Sequence, residues 1–154
     1  MYSKARNISG SEYRQSLQKK LNDVGVTKFN RAHQKILDEI IRFHDLVEQL
    51  TTRKPTDKDW KDIRSIIGFL LNYTESHFRD EEQEMRRLNY PEMSEHVAQH
   101  REFISKIKEL NAKLEEGQAM YVVDMKFYLL DWLFSHINRF DMRYKKFFNE
   151  NGIR

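Results

Sequence analysis

The sequence contains no cysteine, which excludes disulfide bonds, thiolate metal sites and thiol redox chemistry. Residues that make turns are scarce, with 5 glycines and 2 prolines in 154 residues. A β-sandwich of this length needs many more turns, so the composition predicts few, long helices. No apolar run approaches the roughly 20 residues of a membrane span, and residues 1–10 lack the apolar segment of a signal peptide. We therefore expect a cytoplasmic protein without a membrane partner.

The sequence also lacks a large excess of either positive or negative residues. The 27 Lys and Arg residues and the 24 Asp and Glu residues leave a formal net charge of +3. The densest basic patch, Arg143 to Lys146, lies near the end of a predicted helix, where cations interact favourably with the helix dipole. The charge pattern therefore predicts no nucleic-acid partner.

Apolar residues repeat at helical spacing along four long segments. The predicted helices are residues 30–50, 56–88, 91–115 and 120–148. Four helices joined by short links predict an all-α fold, an antiparallel up-down-up-down four-helix bundle. Residues 25–154 would form this bundle. Residues 1–24 would form an N-terminal arm, with a short helix after Ser11.

Three residues suggest where these helices begin. Asn30 is a candidate N-cap for the first helix, and Pro91 suits the first position of the third. Thr56, followed by Asp59, has the spacing of a capping box at the start of the second helix.

Histidines and acidic residues interrupt the apolar faces of all four predicted helices. They lie near the starts of the first and third helices and near the ends of the second and fourth, so the predicted topology brings them to one level. The set is His33, His77, Glu81, His96, His100, His136 and Asp141. A polar side chain that is buried without a partner costs about 1–3 kcal/mol. Binding of these side chains to shared metal ions is therefore the energetically more favourable arrangement. One zinc takes about four ligands, so seven imply two metal ions.

Imidazoles with bridging carboxylates suit iron, with manganese, copper and zinc as weaker alternatives. Oxygen-activating di-iron bundles use four carboxylates and two Glu-x-x-His motifs, and no such motif occurs here. His44 lies eleven residues after His33, about 16 Å along a helix, and is predicted to lie outside the site. Phe78 and Trp132, which are each near a predicted ligand by helical spacing, are interpreted as walls of the pocket.

His136 and Asp141 are five residues apart, which separates them by about 140° on a regular α-helix. Either a π-type turn occurs there, or the two side chains straddle the line that faces the metal.

Four stretches together resemble the hemerythrin family, and in particular the single-domain bacteriohemerythrins, over about residues 24–148. They read VGVTKFNRAHQKIL, YTESHFRDEEQEM, NYPEMSEHVAQHREF and DWLFSHINRFD. The family's ligand pattern, a lone His followed by His-x3-Glu, His-x3-His and His-x4-Asp, is met in full and in order. The sequence departs from the family at Asn30 and Ala32, where an acidic residue and a Gln or Glu are usual.

The resemblance implies two iron ions bridged by an oxo or hydroxo group. One iron would be bound by the three histidines His96, His100 and His136, and the other by His33 and His77. Glu81 and Asp141 would bridge them. The second iron would keep an open position for a diatomic ligand.

The implied function is reversible binding of molecular oxygen for storage, delivery or sensing, without catalysis. Two alternatives stay open. One is a di-iron enzyme that handles peroxide, nitric oxide or ferrous iron. The other is an oxygen-sensing module that acts through a protein partner docked on residues 1–24. The sequence does not predict the oligomeric state.

Overall fold

The computed structural model describes residues 10–154, and within them it contains helices and no strands. The predictions made for residues 1–9 lie outside the described residues. The helices are α1 (Gly10–Lys20), α2 (Thr27–Gln49), α3 (Asp57–Leu88), α4 (Met93–Glu115), α5 (Tyr121–His136) and α6 (Met142–Glu150), with a π turn at Ile137–Asp141 between the last two. Helix α5, the π turn and α6 follow one another without a break and occupy the place of the fourth predicted helix. The predicted four-helix bundle is confirmed.

The capping box predicted at the start of α3 is present. The Thr56 hydroxyl accepts a hydrogen bond from the backbone N–H of Asp59, and the Asp59 carboxylate accepts one from the backbone N–H of Thr56. The two terminal guanidinium nitrogens of Arg53, Nη1 and Nη2, also donate to Asp59, at 2.5 and 2.9 Å. At its other end α3 stops at Asn89, whose φ of 57° turns the chain towards α4.

Two predicted helix starts were wrong. Helix α2 begins at Thr27, with Val26 and not Asn30 at the N-cap. The Asn30 side chain instead closes the preceding loop, because it accepts from the Val24 N–H at 3.0 Å and donates to Asp23 at 2.7 Å. Helix α4 begins at Met93, two residues beyond Pro91, because a turn with Met93 N–H donating to the Tyr90 carbonyl comes first.

Helix α1 packs against α2. Leu17 is buried, and the Tyr13 and His44 rings lie 5.6 Å apart. Half-buried His44 is therefore in contact with α1 and lies outside the cluster of metal-competent side chains, as predicted.

The bundle interior is filled by large apolar side chains from all four long segments. Fully buried members include Phe43, Leu70, Phe103, Leu129 and Phe148. Among residues 10–154, no helix combines the length and the apolar character needed to cross a membrane.

Candidate metal centre

The structure brings all seven predicted side chains together inside one end of the bundle. None is more than 4% exposed. Their ligand-competent atoms form two groups, each with all atoms within 4.8 Å of one another. The first group contains His96, His100 and His136, the second contains His33 and His77, and Glu81 and Asp141 belong to both.

Asp141 lies between the two groups. Its Oδ1 is 2.9 Å from His136 Nε2 and 3.0 Å from His96 Nε2, whereas its Oδ2 is 3.1 Å from His33 Nε2. Two ligands at right angles on one metal, with bonds of about 2.1 Å, are about 3.0 Å apart. Each carboxylate oxygen therefore faces a different group at the separation of neighbouring metal ligands.

Glu81 also contacts both groups. Its Oε1 is 3.0 Å from His77 Nε2 and 3.6 Å from His100 Nε2. The contact to His77 joins residues one turn apart on α3, whereas His100 comes from α4. The packing of α3 against α4 thus places one carboxylate between histidines of the two groups.

The hydrogen bonding of these atoms tests whether metal ions suit the site. The Nε2 atoms of all five histidines, and both carboxylate oxygens of Glu81 and Asp141, are buried and have no hydrogen-bond partner within residues 10–154. Each such atom would cost about 1–3 kcal/mol if it stayed unpaired. Five nitrogens and four oxygens of this kind, converging in two groups, are the donor set that two metal ions would satisfy together.

The neighbouring histidines favour the ionised form of both carboxylates. Burial would raise the pKa of Asp141, but His136, His33 and His96 hold that pKa well below its ordinary value. Burial and the Asp141 charge likewise oppose ionisation of Glu81, and the neighbouring His77 and His100 nevertheless lower its pKa. Two buried negative charges attract cations, as metal binding requires.

Glu82 is a site residue that sequence reasoning missed. Its Oε1 lies 2.8 Å from the Nδ1 of His100, on the side of the ring opposite to the cluster. The Nδ1–H then donates to Glu82 and leaves the Nε2 lone pair free for a metal. Burial lowers the pKa of His100 despite the nearby carboxylates, which also favours the neutral, ligating form of its imidazole.

Of the two possibilities that the five-residue spacing left open, the structure has the π turn, at Ile137–Asp141. It allows His136 and Asp141 to face the same interior point although five residues separate them.

A small cavity is bordered by side chains of both groups, His33, His77, His136 and Asp141. Its volume is about 10 Å³, at the lower limit for a single water molecule. Its apolar lining residues are Ile36, Phe78, Phe103, Trp132, Leu133 and Ile137. Phe78 stacks on His100 at 3.8 Å and Trp132 stacks on His136 at 4.4 Å, so both residues are walls of the site, as interpreted from the sequence.

His33 lacks an outer hydrogen-bond partner. Its Nδ1 is buried and unpaired. The Asn30 side chain is occupied by Val24 and Asp23, and Ala32 offers no polar group. The Nδ1 of His136 is likewise buried without a partner among residues 10–154, so an unsupported outer nitrogen is not confined to the histidine next to the two departures.

Known proteins are similar to this chain over the part that carries the cluster. A family model described as the hemerythrin HHE cation binding domain matches residues 24–148. The bacteriohemerythrin of Clostridium acetobutylicum is 27% identical over 123 residues, which cover 79% of this chain and 92% of that protein. The myohemerythrin of Riftia pachyptila is 36% identical over 79 residues, 51% of this chain and 60% of that protein.

A solved structure has a similar fold. The crystal structure of a wild-type hemerythrin is 26% identical, with a TM-score of 0.68, over 80% of this chain and 88% of that one. The residues matched by the family model include all seven clustered side chains.

Proposed function

The chain belongs to the hemerythrin family, and from that premise we propose that it is a non-haem di-iron protein that binds molecular oxygen reversibly. The observation that carries the proposal is the convergence of five unpaired imidazole nitrogens and four unpaired carboxylate oxygens in two buried groups. As placed, these atoms have no hydrogen-bond partner among residues 10–154, and two metal ions would satisfy all of them. Reversible oxygen binding would serve storage, delivery or sensing. The cytoplasmic location of the protein stays a prediction from the sequence.

We assign one iron to the three histidines His96, His100 and His136, and the other to His33 and His77. Glu81 and Asp141 would bridge the two irons, together with an oxo or hydroxo group. This assignment gives the first iron three nitrogens and two carboxylate oxygens, and the second iron two nitrogens and two carboxylate oxygens. The second iron would therefore have one protein ligand fewer than the first. The two irons, when they are bound, would supply the electrons that oxygen binding needs.

The surrounding residues are suited to hold a small apolar ligand. The cavity bordered by His33, His77 and His136 is at the lower limit for one water molecule and has a largely apolar lining, so it suits only a very small ligand. Glu82 fixes the ring and the tautomer of His100. The two ionised carboxylates balance part of the positive charge that two irons bring into a low-dielectric interior.

Metal analysis together with an absorption spectrum tests the metal assignment. Protein purified in air should contain two irons per chain, one for each group of side chains, and should be coloured. A zinc-loaded sample of the same protein is the colourless control. A purified chain that holds zinc in preference to iron, or that binds one metal ion only, would contradict the proposal.

A further inference from the structure

Tyr144 has a buried hydroxyl with no hydrogen-bond partner among residues 10–154. The residue is 0% exposed and is not one of the seven clustered side chains. A buried hydroxyl left unpaired costs about 1–3 kcal/mol, and one in a native interior calls for an explanation. The hydroxyl therefore needs a partner close to its present position.

Packing fixes the direction of the Tyr144 ring. Its centroid lies 4.7 Å from that of Phe148, 5.7 Å from that of His96 and 5.9 Å from that of Phe29. These rings come from α6, α4 and α2, so neighbours from three helices prevent the ring from turning the hydroxyl towards solvent. Burial, with the Asp141 and Glu81 charges as further causes, raises the pKa of Tyr144 well above its ordinary value. A tyrosine hydroxyl is protonated near neutral pH and is therefore a donor. The Tyr144 ring packs on His96, whose Nε2 lies 3.0 Å from Asp141 Oδ1, so this donor is at the edge of the cluster.

Of the two carboxylates, Glu81 has more room to accept. Both oxygens of Asp141 are within 3.1 Å of a histidine nitrogen. Glu81 approaches both His77 and His100 through Oε1, and its Oε2, like the other three carboxylate oxygens, is buried without a hydrogen-bond partner among residues 10–154. A carboxylate oxygen has two lone pairs, so one that binds a metal ion still accepts a hydrogen bond.

We propose that Tyr144 is a positioning residue, which donates its hydroxyl hydrogen bond to Glu81 and holds that carboxylate between the two metal positions. This inference rests on the metal site proposed above. Glu81 needs such support more than Asp141, because three imidazoles surround the shorter Asp141 side chain. Groups that orient metal ligands typically change metal affinity by about 10- to 100-fold when they are removed.

The test compares Tyr144→Phe with Tyr128→Phe. Tyr128 is the matched control, because its hydroxyl is also buried and unpaired but lies on α5 away from the cluster. Each metal-free protein is titrated with cobalt(II), whose absorption spectrum reports coordination geometry. We expect Tyr144→Phe to bind cobalt at least about tenfold more weakly and with an altered spectrum, and Tyr128→Phe to match wild type. Identical titrations and spectra for all three proteins would overturn the inference.

A measurement on the unmodified protein covers the case in which Tyr144→Phe fails to fold. In the diamagnetic zinc-loaded protein, the Tyr144 hydroxyl proton should exchange slowly and show a nuclear Overhauser effect to the Glu81 side chain. A hydroxyl proton with no such contact would overturn the inference.

The two proposals fail in different ways. If the wild-type protein binds two cobalt ions and Tyr144→Phe behaves identically, the role of Tyr144 is wrong and the di-iron site stands. If Tyr144→Phe alone weakens cobalt binding but the iron-loaded protein does not take up oxygen, the role of Tyr144 is supported and the oxygen-binding proposal is wrong.

Discussion

Asp141 lies five residues after His136, yet its Oδ1 is 2.9 Å from the Nε2 of His136. A regular α-helix would turn these residues about 140° apart. The π turn at Ile137–Asp141 has hydrogen bonds that span five residues. It reduces the angle between the two side chains around the helix axis and brings both of them to the interior. After the turn, Tyr144 and Phe148 also face the core. One local irregularity thus sets both the Asp141 position and the packing of α6.

Loss of a histidine should affect metal content according to its position. His77→Ala should lose or strongly weaken the metal ion of the two-histidine group, because only His33 would remain as its nitrogen ligand. His44→Ala is the control, since His44 is on the same bundle but outside both groups. Metal content after gel filtration is the measurement. Equal losses from both variants would show that the ligand assignment is wrong.

Glu82→Gln should weaken metal binding by about tenfold or more, because the amide is a weaker partner for the Nδ1–H of His100. Glu84→Gln is the control: Glu84 is on the same helix and pairs with Arg87 at the surface. Competition with a chelator gives both affinities. A Glu82→Gln protein with wild-type affinity would mean that the hydrogen bond to His100 does not tune the site.

Six of the seven clustered residues were predictable because each interrupts an apolar helical stripe and the topology fixes their heights, whereas Asp141 was included through the His-x4-Asp pattern of the resemblance. The spacing of His136 and Asp141 predicted either a π turn or side chains that straddle the metal-facing line, and the structure has the π turn. Glu82 was not predictable, because it lies in an acidic run in which its neighbours look alike by sequence. Only the packing of α3 on α4 distinguishes it, by placing it against His100.

The start of α2 shows a different limit. Asn30 is a residue type that caps helices, and the sequence pattern placed it at the boundary. Its side chain instead bonds to Val24 and Asp23, a loop conformation that local spacing does not encode. Tertiary contacts with this loop, such as Asn149 donating to the Gly25 carbonyl at 2.9 Å, help to fix where α2 begins.

The Asp59 carboxylate should stabilise the fold in a pH-dependent way. Arg53, with the backbone N–H of Thr56, lowers the pKa of Asp59 far below its ordinary value of 3.8. A lowered pKa in the folded state stabilises the protein at pH values above the ordinary value, and this stabilisation is lost as the pH falls towards the folded-state pKa. Asp59→Asn should therefore reduce urea stability at pH 6, and the difference from wild type should shrink below about pH 4.

These measurements are made on metal-free protein, so that metal release at acid pH does not contribute. Asp62→Asn is the control, because Asp62 is on the same helix and pairs with the exposed Lys58. A difference between wild type and Asp59→Asn that stays constant from pH 6 to pH 3 would contradict the role of the carboxylate charge.

Removal of residues 1–20 should leave metal stoichiometry unchanged and lower stability. Helix α1 contributes the buried Leu17 and a hydrogen bond from Gln18 to Asp38. Burial of one leucine stabilises by about 1.5–3 kcal/mol. Full-length Leu17→Ala should show most of the same loss in urea unfolding. A truncated chain that no longer binds two metals would show that the first 20 residues belong to the metal-binding domain.

Oxygen titration of the diferrous protein tests the central claim most directly. The protein is loaded with iron without air, oxygen is added stepwise, and the absorption spectrum is followed before and after flushing with argon. The proposed site predicts uptake of one oxygen molecule per pair of irons, a new visible absorption, and return of the starting spectrum when oxygen is removed. Irreversible oxidation with continuing oxygen consumption, or no spectral change at all, would contradict reversible oxygen binding.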